Sequence, residues 1–227
     1  MELTELCPGT IWTAQQALRF GPIAIRTRMT VVRLADGGLW VHSPVQPTDA
    51  GVAALRALGP VRYVVAPNRS HHLFFLPFLA AFPDAIGFIA PGLQGKRPDL
   101  AGYRELTPGL PQPWSDDLPG WFIGGLPVIN ETVWFHPGTG TLLLTDLLFC
   151  FGEQNRGLAR LAARLLGVNG RVAMSRTMKL MVRDRQVFRR SIAPLLALDV
   201  RRIVLAHDQV VGHDARAALA RAFAWVQ

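Results

Sequence analysis

The sequence predicts a layered α/β protein, and three features of the 227-residue chain carry that prediction. Half of the residues are hydrophobic and only 18% are charged, which is the composition of an ordered globular protein with a large core. An apolar strand pattern, RYVVAPN, is followed by a helical pattern and then by a second strand pattern, IGFIAPG. Hairpin signals occur both before and after this unit. Strands that alternate closely with helices are typical of layered α/β folds.

The predicted elements of the first half begin with a hairpin. Residues 30–43 place two β-prone runs on either side of a DGG turn. A short amphipathic helix follows and ends at Gly59-Pro60. Residues 62–68 then predict a buried strand that ends in a Pro-Asn turn. The next run, HHLFFLPFLAAF, predicts a helix that Pro77 kinks or restarts, and residues 86–92 predict another buried strand.

The second half repeats this alternation of strands and helices after a loop-rich stretch. Residues 93–129 contain many Pro and Gly residues, and we expect them to cover one edge of the fold. ETVWFHPGTGTLLLTDLLF predicts a second hairpin, and a helix with a leucine face is predicted after Asn155. Residues 171–198 predict helix with a break near Ser191 to Pro194. RIVLAHD, residues 202–208, predicts a buried strand, and an alanine-rich helix closes the chain.

The basic character of the chain is concentrated in one segment. The formal net charge is +8, from 24 basic and 16 acidic residues. Residues 156–202 hold twelve basic and two acidic residues, which leaves twelve basic and fourteen acidic residues elsewhere. Such a segment can attract nucleic acid, but Phe188 is the only aromatic residue interleaved with its arginines. We therefore expect these arginines to coat the solvent side of helices, and we do not expect a nucleic-acid partner.

Cysteine usage and hydropathy exclude several classes of protein. Two cysteines, Cys7 and Cys150, cannot form a disulfide framework or a cysteine-rich zinc module. The N-terminal residues lack a basic head followed by an apolar run, so no export signal is predicted. The most apolar stretch, Leu73 to Ala90, is interrupted by Pro77 and Pro83, so it predicts no membrane span. The expectation is a cytoplasmic globular protein with no membrane association.

Polar side chains follow three of the predicted buried strands. VVAPNRSHH ends at His71 and His72, LLLTDLL carries Asp146, and IVLAHD ends at His207 and Asp208. In α/β folds, ligands collect beyond one end of the sheet, where strand ends from distant parts of the sequence meet. Histidine and carboxylate ligands suit zinc first, and also iron or manganese. The sequence therefore predicts a site for one divalent metal ion. The alternative is a metal-free hydrogen-bonded cluster.

At this point the chain resembles the metallo-β-lactamase superfamily, and most closely a branch of it described as a domain of unknown function. The resemblance lies in TVVRLADGGLWVHSP, LGPVRYVVAPNRSHHLF, FPDA and APGLQGKRPDL, and in the order of hairpin, histidine-bearing turn, second hairpin and AHD strand. It covers roughly residues 8–210. It implies a four-layer αββα sandwich with a metal site along one edge of two sheets, and residues 1–227 as a single domain.

The family's first metal motif, H-x-H-x-D-H, is largely lost. Aligned with its last histidine on His72, the motif falls on Pro67, Arg69, His71 and His72. Pro67 offers no ligand, and Arg69 places a positive charge where a cation would bind. The family's middle histidine has no counterpart in GGLPVINETVWF. The first of the two metal positions is therefore predicted to be absent.

The residues of the second metal position are retained. The family's bridging aspartate matches Asp146, and its last histidine matches His207. The resemblance implies one ion held by His71, His72, Asp146 and His207, with His71 where an aspartate is usual. Asp146 and Arg69 are the catalytic candidates, and Arg69 would stabilise the negative charge that develops on a substrate.

Two classes of function follow from these residues. The first is a metal-dependent hydrolase that acts on a small ester, lactone or phosphoester-like molecule. The second is a metal-free relative that binds a ligand or a partner. A mean hydropathy of +0.23 favours the second class, because an exposed apolar patch fits a self-associating homodimer.

Overall fold

A computed structural model describes residues 1–20, 23–152 and 155–226, and its strands form two sheets. The first sheet has the strand order β1-β2-β3-β4-β5-β6-β7. Its strands are β1 (Thr4–Cys7), β2 (Ile11–Phe20), β3 (Ile23–Arg33), β4 (Leu39–His42), β5 (Val61–Ala66), β6 (Ile86–Ile89) and β7 (Arg104–Glu105). The second sheet has the order β12-β11-β10-β9-β8. Its strands are β8 (Gly120–Phe122), β9 (Thr132–His136), β10 (Thr141–Leu144), β11 (Arg202–Leu205) and β12 (Val210–Val211).

The helices lie mainly between the strands and at the end of the chain. They are α1 (Asp49–Leu58), α2 (Phe75–Ala81), α3 (Leu93–Lys96), α4 (Gly157–Leu166), α5 (Arg176–Leu180), α6 (Arg185–Ala197) and α7 (Ala215–Phe223). Thr48 caps α1, since its side chain accepts a hydrogen bond from the amide of Gly51. Asp184 caps α6 in the same way through the amide of Val187.

Parallel pairing at the centre of each sheet determines where loops collect. β4, β5 and β6 run parallel to one another, and β10 runs parallel to β11. β7 also runs parallel to β6, and the other flanking pairs, including the long β2–β3 hairpin, are antiparallel. The C-terminal ends of parallel strands lie at the same edge of a sheet, so the segments that follow β4, β5, β10 and β11 are brought to shared edges.

The period-two pattern of the strands produces four layers. In β10, Leu142 and Leu144 pack towards α6 and α7, whereas Leu143 packs between the two sheets. In β5, Val64 packs towards α1 and α2, whereas Val65 packs between the sheets. Both faces of these strands are therefore buried, which explains their nearly continuous apolar sequences. The predicted four-layer αββα arrangement is confirmed.

The layer between the sheets is built on tryptophan. Trp40 of β4 lies 5.1 Å from Trp134 of β9 and 5.9 Å from Trp114, measured between ring centroids. Trp114 comes from the predicted loop-rich stretch and is 1% exposed. Burying three such rings removes a large apolar area from water and fixes the two sheets against each other.

Some element boundaries differ from the sequence expectation. α2 begins at Phe75, so His71 and His72 lie in the preceding turn. Pro77 falls in the first turn of α2, where its missing N–H costs no helical hydrogen bond. The break in 171–198 lies at residues 181–184, and α6 continues through Pro194. The sequence expectation of a break at Pro194 is therefore wrong.

The leucine face predicted after Asn155 is exposed on α4. Leu158, Leu161 and Leu165 are between 53% and 63% exposed, while Ala163 is buried. In the part of the chain that the structure describes, no helix is both long and apolar enough to cross a bilayer.

Candidate metal centre

Three strand ends deliver the candidate metal ligands to one place. His71 follows β5, Asp146 follows β10 and His207 follows β11. β5 belongs to the first sheet, and the other two strands belong to the second, so the cluster bridges the edges of both sheets. The cluster therefore depends on the register of both sheets.

The ligand atoms of these residues are in mutual contact. The Nε2 atoms of His71 and His207 lie 3.2 Å apart. Oδ1 of Asp146 is 3.2 Å from Nε2 of His207, and its Oδ2 is 3.5 Å from Nε2 of His71. Each residue offers one ligand atom, and these atoms all lie within 4.8 Å of one another. All three side chains are less than 10% exposed.

A backbone contact fixes the ring of His207. Its Nδ1 lies 2.9 Å from the carbonyl oxygen of Arg26, which can only accept a hydrogen bond, so Nδ1 carries the proton. The Nε2 lone pair of the neutral ring then faces Asp146. Partners of this kind on the distal nitrogen of histidine orient metal ligands in proteins.

Arg28 clamps the turn that carries His207. Its guanidinium donates to the backbone carbonyls of Leu205, Asp208 and Gln209. Burial lowers the pKa of Arg28 to about 10, against the opposing charge of Asp208, so the side chain remains a cation near neutral pH. Arg28 is 5% exposed and was missed in the sequence, although an arginine among the apolar residues of a strand is an unusual signal.

Asp208 ties the same turn to a neighbouring loop. Its Oδ2 accepts hydrogen bonds from the amide of Gly152 at 2.7 Å and from Nδ2 of Asn155 at 2.6 Å. Its φ of 69° is in the left-handed region. The turn around His207 is therefore held from both sides.

His71 is oriented by the residue that follows β4. Nδ1 of His71 lies 2.7 Å from Oγ of Ser43, which leaves its Nε2 directed at Asp146 and His207. Ser43 is 2% exposed and has a φ of 52°, a conformation that is costly for a residue other than glycine. Its amide donates to the carbonyl of Val65, which keeps the strained residue paired with β5.

Asn68 links the loops that carry His71 and Asp146. Its Nδ2 donates to Oδ2 of Asp146 and to Oγ1 of Thr145, both at 2.8 Å. Its Oδ1 accepts from the amides of Ser70 and His71 at 2.7 and 2.8 Å. Asn68 is fully buried, so these bonds replace those that it would make to water. The sequence showed Asn68 only as part of a turn.

Glu131 shapes the backbone around Asp146. Its carboxylate accepts hydrogen bonds from the amides of Thr145, Asp146 and Leu147, at 2.6, 2.8 and 3.0 Å. Burial, followed by the nearby charge of Asp146, raises the pKa of Glu131 to about 7. Glu131 lies in the stretch where the family's middle histidine has no counterpart, and its role was not predicted.

The charges within the cluster favour an ionised aspartate. Burial alone would raise the pKa of Asp146, but His71 and His207 outweigh it and hold that pKa well below its usual range. Burial lowers the pKa of His207, but the hydrogen bond and the charge of Asp146 outweigh it and leave the pKa above its ordinary value. The cluster therefore attracts positive charge, either as a proton or as a metal ion.

His72 and Arg69 do not join the cluster. Nη1 of Arg97 donates to Nδ1 of His72 at 2.9 Å, and burial together with the charges of Lys96 and Arg97 lowers the pKa of His72 to about 4. Nη1 of Arg69 donates to the carbonyl of Pro127 at 3.2 Å. The predicted fourth ligand and the predicted anion-binding arginine are therefore both directed to other partners, because adjacent residues of one turn point in different directions.

His42 lies beside the cluster but is enclosed by tryptophan. Its ring stacks on Trp40 at 5.5 Å and meets the edge of Trp134 at 5.4 Å between centroids. Burial, and then the charge of His71, lowers its pKa to about 3. His42 is therefore part of the buried layer between the two sheets.

A cavity of about 550 Å³ opens over the cluster, and His71, Asp146 and His207 all line it. Its other walls come from the β2–β3 hairpin, from the turn before α2, from the segment after Asp146 and from α5. The volume falls within the range of small-molecule sites, about 300–1,000 Å³. The cluster is therefore accessible to a small molecule.

Comparison with known proteins supports the fold. A family model described as a domain of unknown function, DUF4336, matches residues 8–98. No curated protein sequence matches the chain. A metallo-beta-lactamase from Pontibacter korlensis superposes with a TM-score of 0.66 at 12% identity, covering 100% of this chain and 98% of that chain.

Two further solved structures agree over almost the whole chain. The DIM-1 metallo-beta-lactamase has a TM-score of 0.69 at 10% identity, with coverage of 100% of this chain and 97% of that chain. A metallo-beta-lactamase from Erythrobacter litoralis has a TM-score of 0.65 at 15% identity, with coverage of 97% and 94%. The chain therefore has the metallo-β-lactamase fold, as its sequence resemblance implied.

Proposed function

We propose that this protein is a hydrolase that depends on a single divalent metal ion, held by His71, Asp146 and His207. The observation that carries the proposal is the convergence of two Nε2 atoms and a carboxylate at the floor of a cavity. Three protein ligands are the number found in catalytic zinc sites, where a further position stays open. The substrate is a small ester, lactone or phosphoester-like molecule.

The hydrogen bonding of His207 fits a cation between these side chains. The neutral ring carries its proton on Nδ1, so its Nε2 lone pair meets a carboxylate oxygen of Asp146 at 3.2 Å. In this neutral form neither atom can donate to the other, so a metal ion or a second proton on His207 has to lie between them. A donor set of two imidazoles and one carboxylate favours zinc, with iron and manganese as alternatives.

In such a site, different residues would bind the ion, orient the imidazole rings and hold the loop of Asp146. A bound divalent ion supplies Lewis-acid polarisation of a carbonyl or phosphoryl oxygen and activation of water. Asp146 contributes the negative charge, while Ser43 and the carbonyl of Arg26 hold the two imidazole rings in the required orientation. Asn68 and Glu131 hold the loop of Asp146. These hydrogen bonds hold the ligand side chains in place before a substrate binds, so less conformational freedom has to be lost during the reaction.

The metal-free alternative has one observation in its favour. The pKa of His207 is raised by Asp146, so a protonated His207 can satisfy the same contact as an ion pair. In that state the cavity would bind a ligand without turnover. Metal titration separates this binding module from the hydrolase.

Zinc titration of single variants tests the ligand set directly. We expect the wild-type protein to bind one zinc ion, and His71→Ala and His207→Ala to weaken the affinity by more than about 100-fold. Loss of a direct ligand should exceed the 10- to 100-fold loss that follows when a supporting hydrogen bond is removed. His72→Ala is the matched control, because His72 adjoins His71 but binds Arg97 instead.

Affinity is measured by competition with a chromophoric chelator, and metal content by elemental analysis of protein purified without chelators. Wild-type protein that takes up no zinc, iron or manganese would contradict the metal-dependent function. Equal losses of zinc affinity in His71→Ala and His72→Ala would instead support the four-ligand site that the sequence implied.

Asn68→Ala tests the scaffold around Asp146. We expect zinc affinity to fall by about 10- to 100-fold, because Asp146 loses the donor that fixes its Oδ2. The free energy of unfolding should fall by about 1–3 kcal/mol, because the partly buried amides of Ser70 and His71 lose their acceptor. The same competition assay and urea unfolding measure both quantities.

Asn130→Gly is the comparison for this variant. Asn130 donates to the carbonyl of Pro91 and has a φ of 48°, which glycine adopts without strain. Its zinc affinity should stay at the wild-type value. An Asn68→Ala protein with unchanged affinity would show that Asp146 needs no support from this amide.

A further inference from the structure

The walls of the cavity over the cluster are apolar. Leu18 and Ile25 are paired across the β2–β3 hairpin and line one side. Phe149 and Phe151, from the segment after Asp146, line another side, where Phe149 stacks on the ring of His207 with 5.7 Å between centroids. Leu73 adds a further apolar contact, and its side chain is 57% exposed. The β2–β3 hairpin, the turn before α2 and the segment after Asp146 therefore each contribute apolar side chains to the cavity wall.

Positive charge is missing from these walls. Among the described residues that line the cavity there is no lysine or arginine, and Asp146 is the single acid. Three cations near the turn that carries His71 and His72 are engaged with other groups. Arg69 donates to the carbonyl of Pro127, Lys96 donates to the carbonyl of Arg69, and Arg97 pairs with Asp99. A substrate phosphate or carboxylate in this cavity would lose its hydration without gaining a counter-charge from the walls.

We propose that the cavity binds the apolar acyl chain of a neutral carboxylic ester or lactone, with the carbonyl group at His71, Asp146 and His207. The inference rests on the proposed hydrolase function and narrows its substrate to one class. In the reaction, water adds its oxygen to the acyl carbon, and the bond from that carbon to the alcohol oxygen breaks. One proton of water passes to the alcohol oxygen, and the products are a carboxylic acid and an alcohol.

The walls of the cavity interact differently with the neutral ester and with its ionised product. The carboxylic acid ionises near neutral pH, so it becomes an anion beside the carboxylate of Asp146 and among apolar walls. The apolar walls and the carboxylate oppose retention of the anion, whereas a divalent ion at the cluster attracts it. The neutral ester is thus favoured over its product by the same walls.

A series of p-nitrophenyl esters from acetate to decanoate tests the assignment on the zinc-loaded protein. Each methylene that moves from water into the cavity should raise kcat/KM by up to about fourfold. We expect octanoate to exceed acetate by at least about 50-fold, since partial burial reduces the gain for each methylene. p-Nitrophenyl phosphate and bis(p-nitrophenyl) phosphate should show no turnover above background.

Two exposed leucines provide a matched pair of variants. Leu73 is 57% exposed and lines the cavity, whereas Leu110 is 62% exposed and lies outside it. In Leu73→Ser the ratio of the octanoate and acetate values of kcat/KM should fall by about tenfold, and in Leu110→Ser it should not change. Leu18→Ser provides a second test of the wall, on the β2–β3 hairpin.

A binding measurement separates this inference from the hydrolase itself. N-methyloctanamide is a neutral analogue that resists hydrolysis, and its displacement of Nile red from the cavity reports binding without turnover. Binding that weakens in Leu73→Ser, in a protein that hydrolyses no ester, would support the apolar ligand and overturn the hydrolase. Metal-dependent hydrolysis of the phosphoesters, or equal rates along the ester series, would overturn the acyl-chain assignment and leave the hydrolase in place.

Discussion

Replacing Asp146 with alanine is expected to abolish both zinc binding and ester hydrolysis. Asp146 is the single carboxylate of the cluster, and its two oxygens face Nε2 of His71 and Nε2 of His207. Removing it leaves two imidazoles and no negative charge to balance a divalent ion. We expect kcat/KM to fall by at least about 1,000-fold, which is about 4 kcal/mol of transition-state stabilisation. Elemental analysis of the purified variant should find no bound zinc.

Two further variants define what the carboxylate contributes. Asp146→Asn keeps the shape of the side chain and an oxygen for the amide of Asn68, so a loss as large as that of alanine would identify the charge as the essential feature. Asp199→Ala removes an exposed aspartate that pairs with Arg201, and it should retain wild-type zinc binding and turnover. Hydrolysis that survives in Asp146→Ala and resists chelators would place the reaction on another residue, with Ser43 the first to examine.

Strand periodicity made the buried strands of this fold predictable from the sequence, whereas the four layers were implied by the family resemblance. The apolar runs that were interpreted as buried strands, among them those of β5, β10 and β11, have both faces covered. A strand buried on both faces requires layers on both sides, and this requirement follows from local sequence. The break in the helical stretch 171–198 was misplaced, because a proline in a helix removes one hydrogen bond without having to end the helix.

Three members of the candidate site were predictable because they lie within five residues after a strand end. His71, Asp146 and His207 are polar residues placed after apolar runs, and parallel strands bring their own ends together. His72 was predicted with them because the last histidine of the family's first motif aligns with it. The turn between β5 and α2 directs the two rings to different partners, Ser43 for His71 and Arg97 for His72.

The supporting residues were not predictable, because their roles depend on contacts between distant segments. Arg28 reaches carbonyls about 180 residues away in the sequence, and Asn68 reaches Asp146 across 78 residues. Nothing local distinguishes Asn68 from an ordinary turn residue. Glu131 carried a weak signal, as a lone acid before an apolar strand, but its function depends on the amides of another loop. Buried polar side chains of this kind become recognisable only when their partners are known.

Acidification is expected to destabilise the protein in part through His42. The side chain is 2% exposed, and burial followed by the charge of His71 lowers its pKa from 6.5 to about 3. Below pH 6.5 the unfolded chain binds a proton at His42 that the folded chain does not bind. The stabilising contribution is therefore complete above pH 6.5 and is lost as the pH falls towards 3, at about 1.4 kcal/mol per pH unit. Between pH 7.5 and 5 the expected loss is roughly 2 kcal/mol.

Urea unfolding of His42→Phe across this pH range isolates the effect of His42. Phenylalanine retains an aromatic contact with Trp40 and Trp134 but cannot bind a proton. The wild-type free energy of unfolding minus that of the variant should therefore fall by roughly 2 kcal/mol from pH 7.5 to 5. A chelator is present throughout, so that release of metal does not contribute. His42→Leu serves the same purpose with a smaller side chain, should the larger ring overpack the site.

His213→Phe is the control for this comparison, since it is the same substitution at an exposed histidine. Parallel stability curves for wild type, His42→Phe and His42→Leu would mean that His42 binds a proton as readily in the folded chain as in the unfolded one. Such a result would require water or a rotated ring at the buried Nε2 of His42, which has no hydrogen-bond partner among the described residues. A difference between the wild-type and variant free energies of unfolding that changes only below pH 6.5 would instead assign a proton-dependent part of the stability to His42, in the tryptophan layer beside the candidate metal centre.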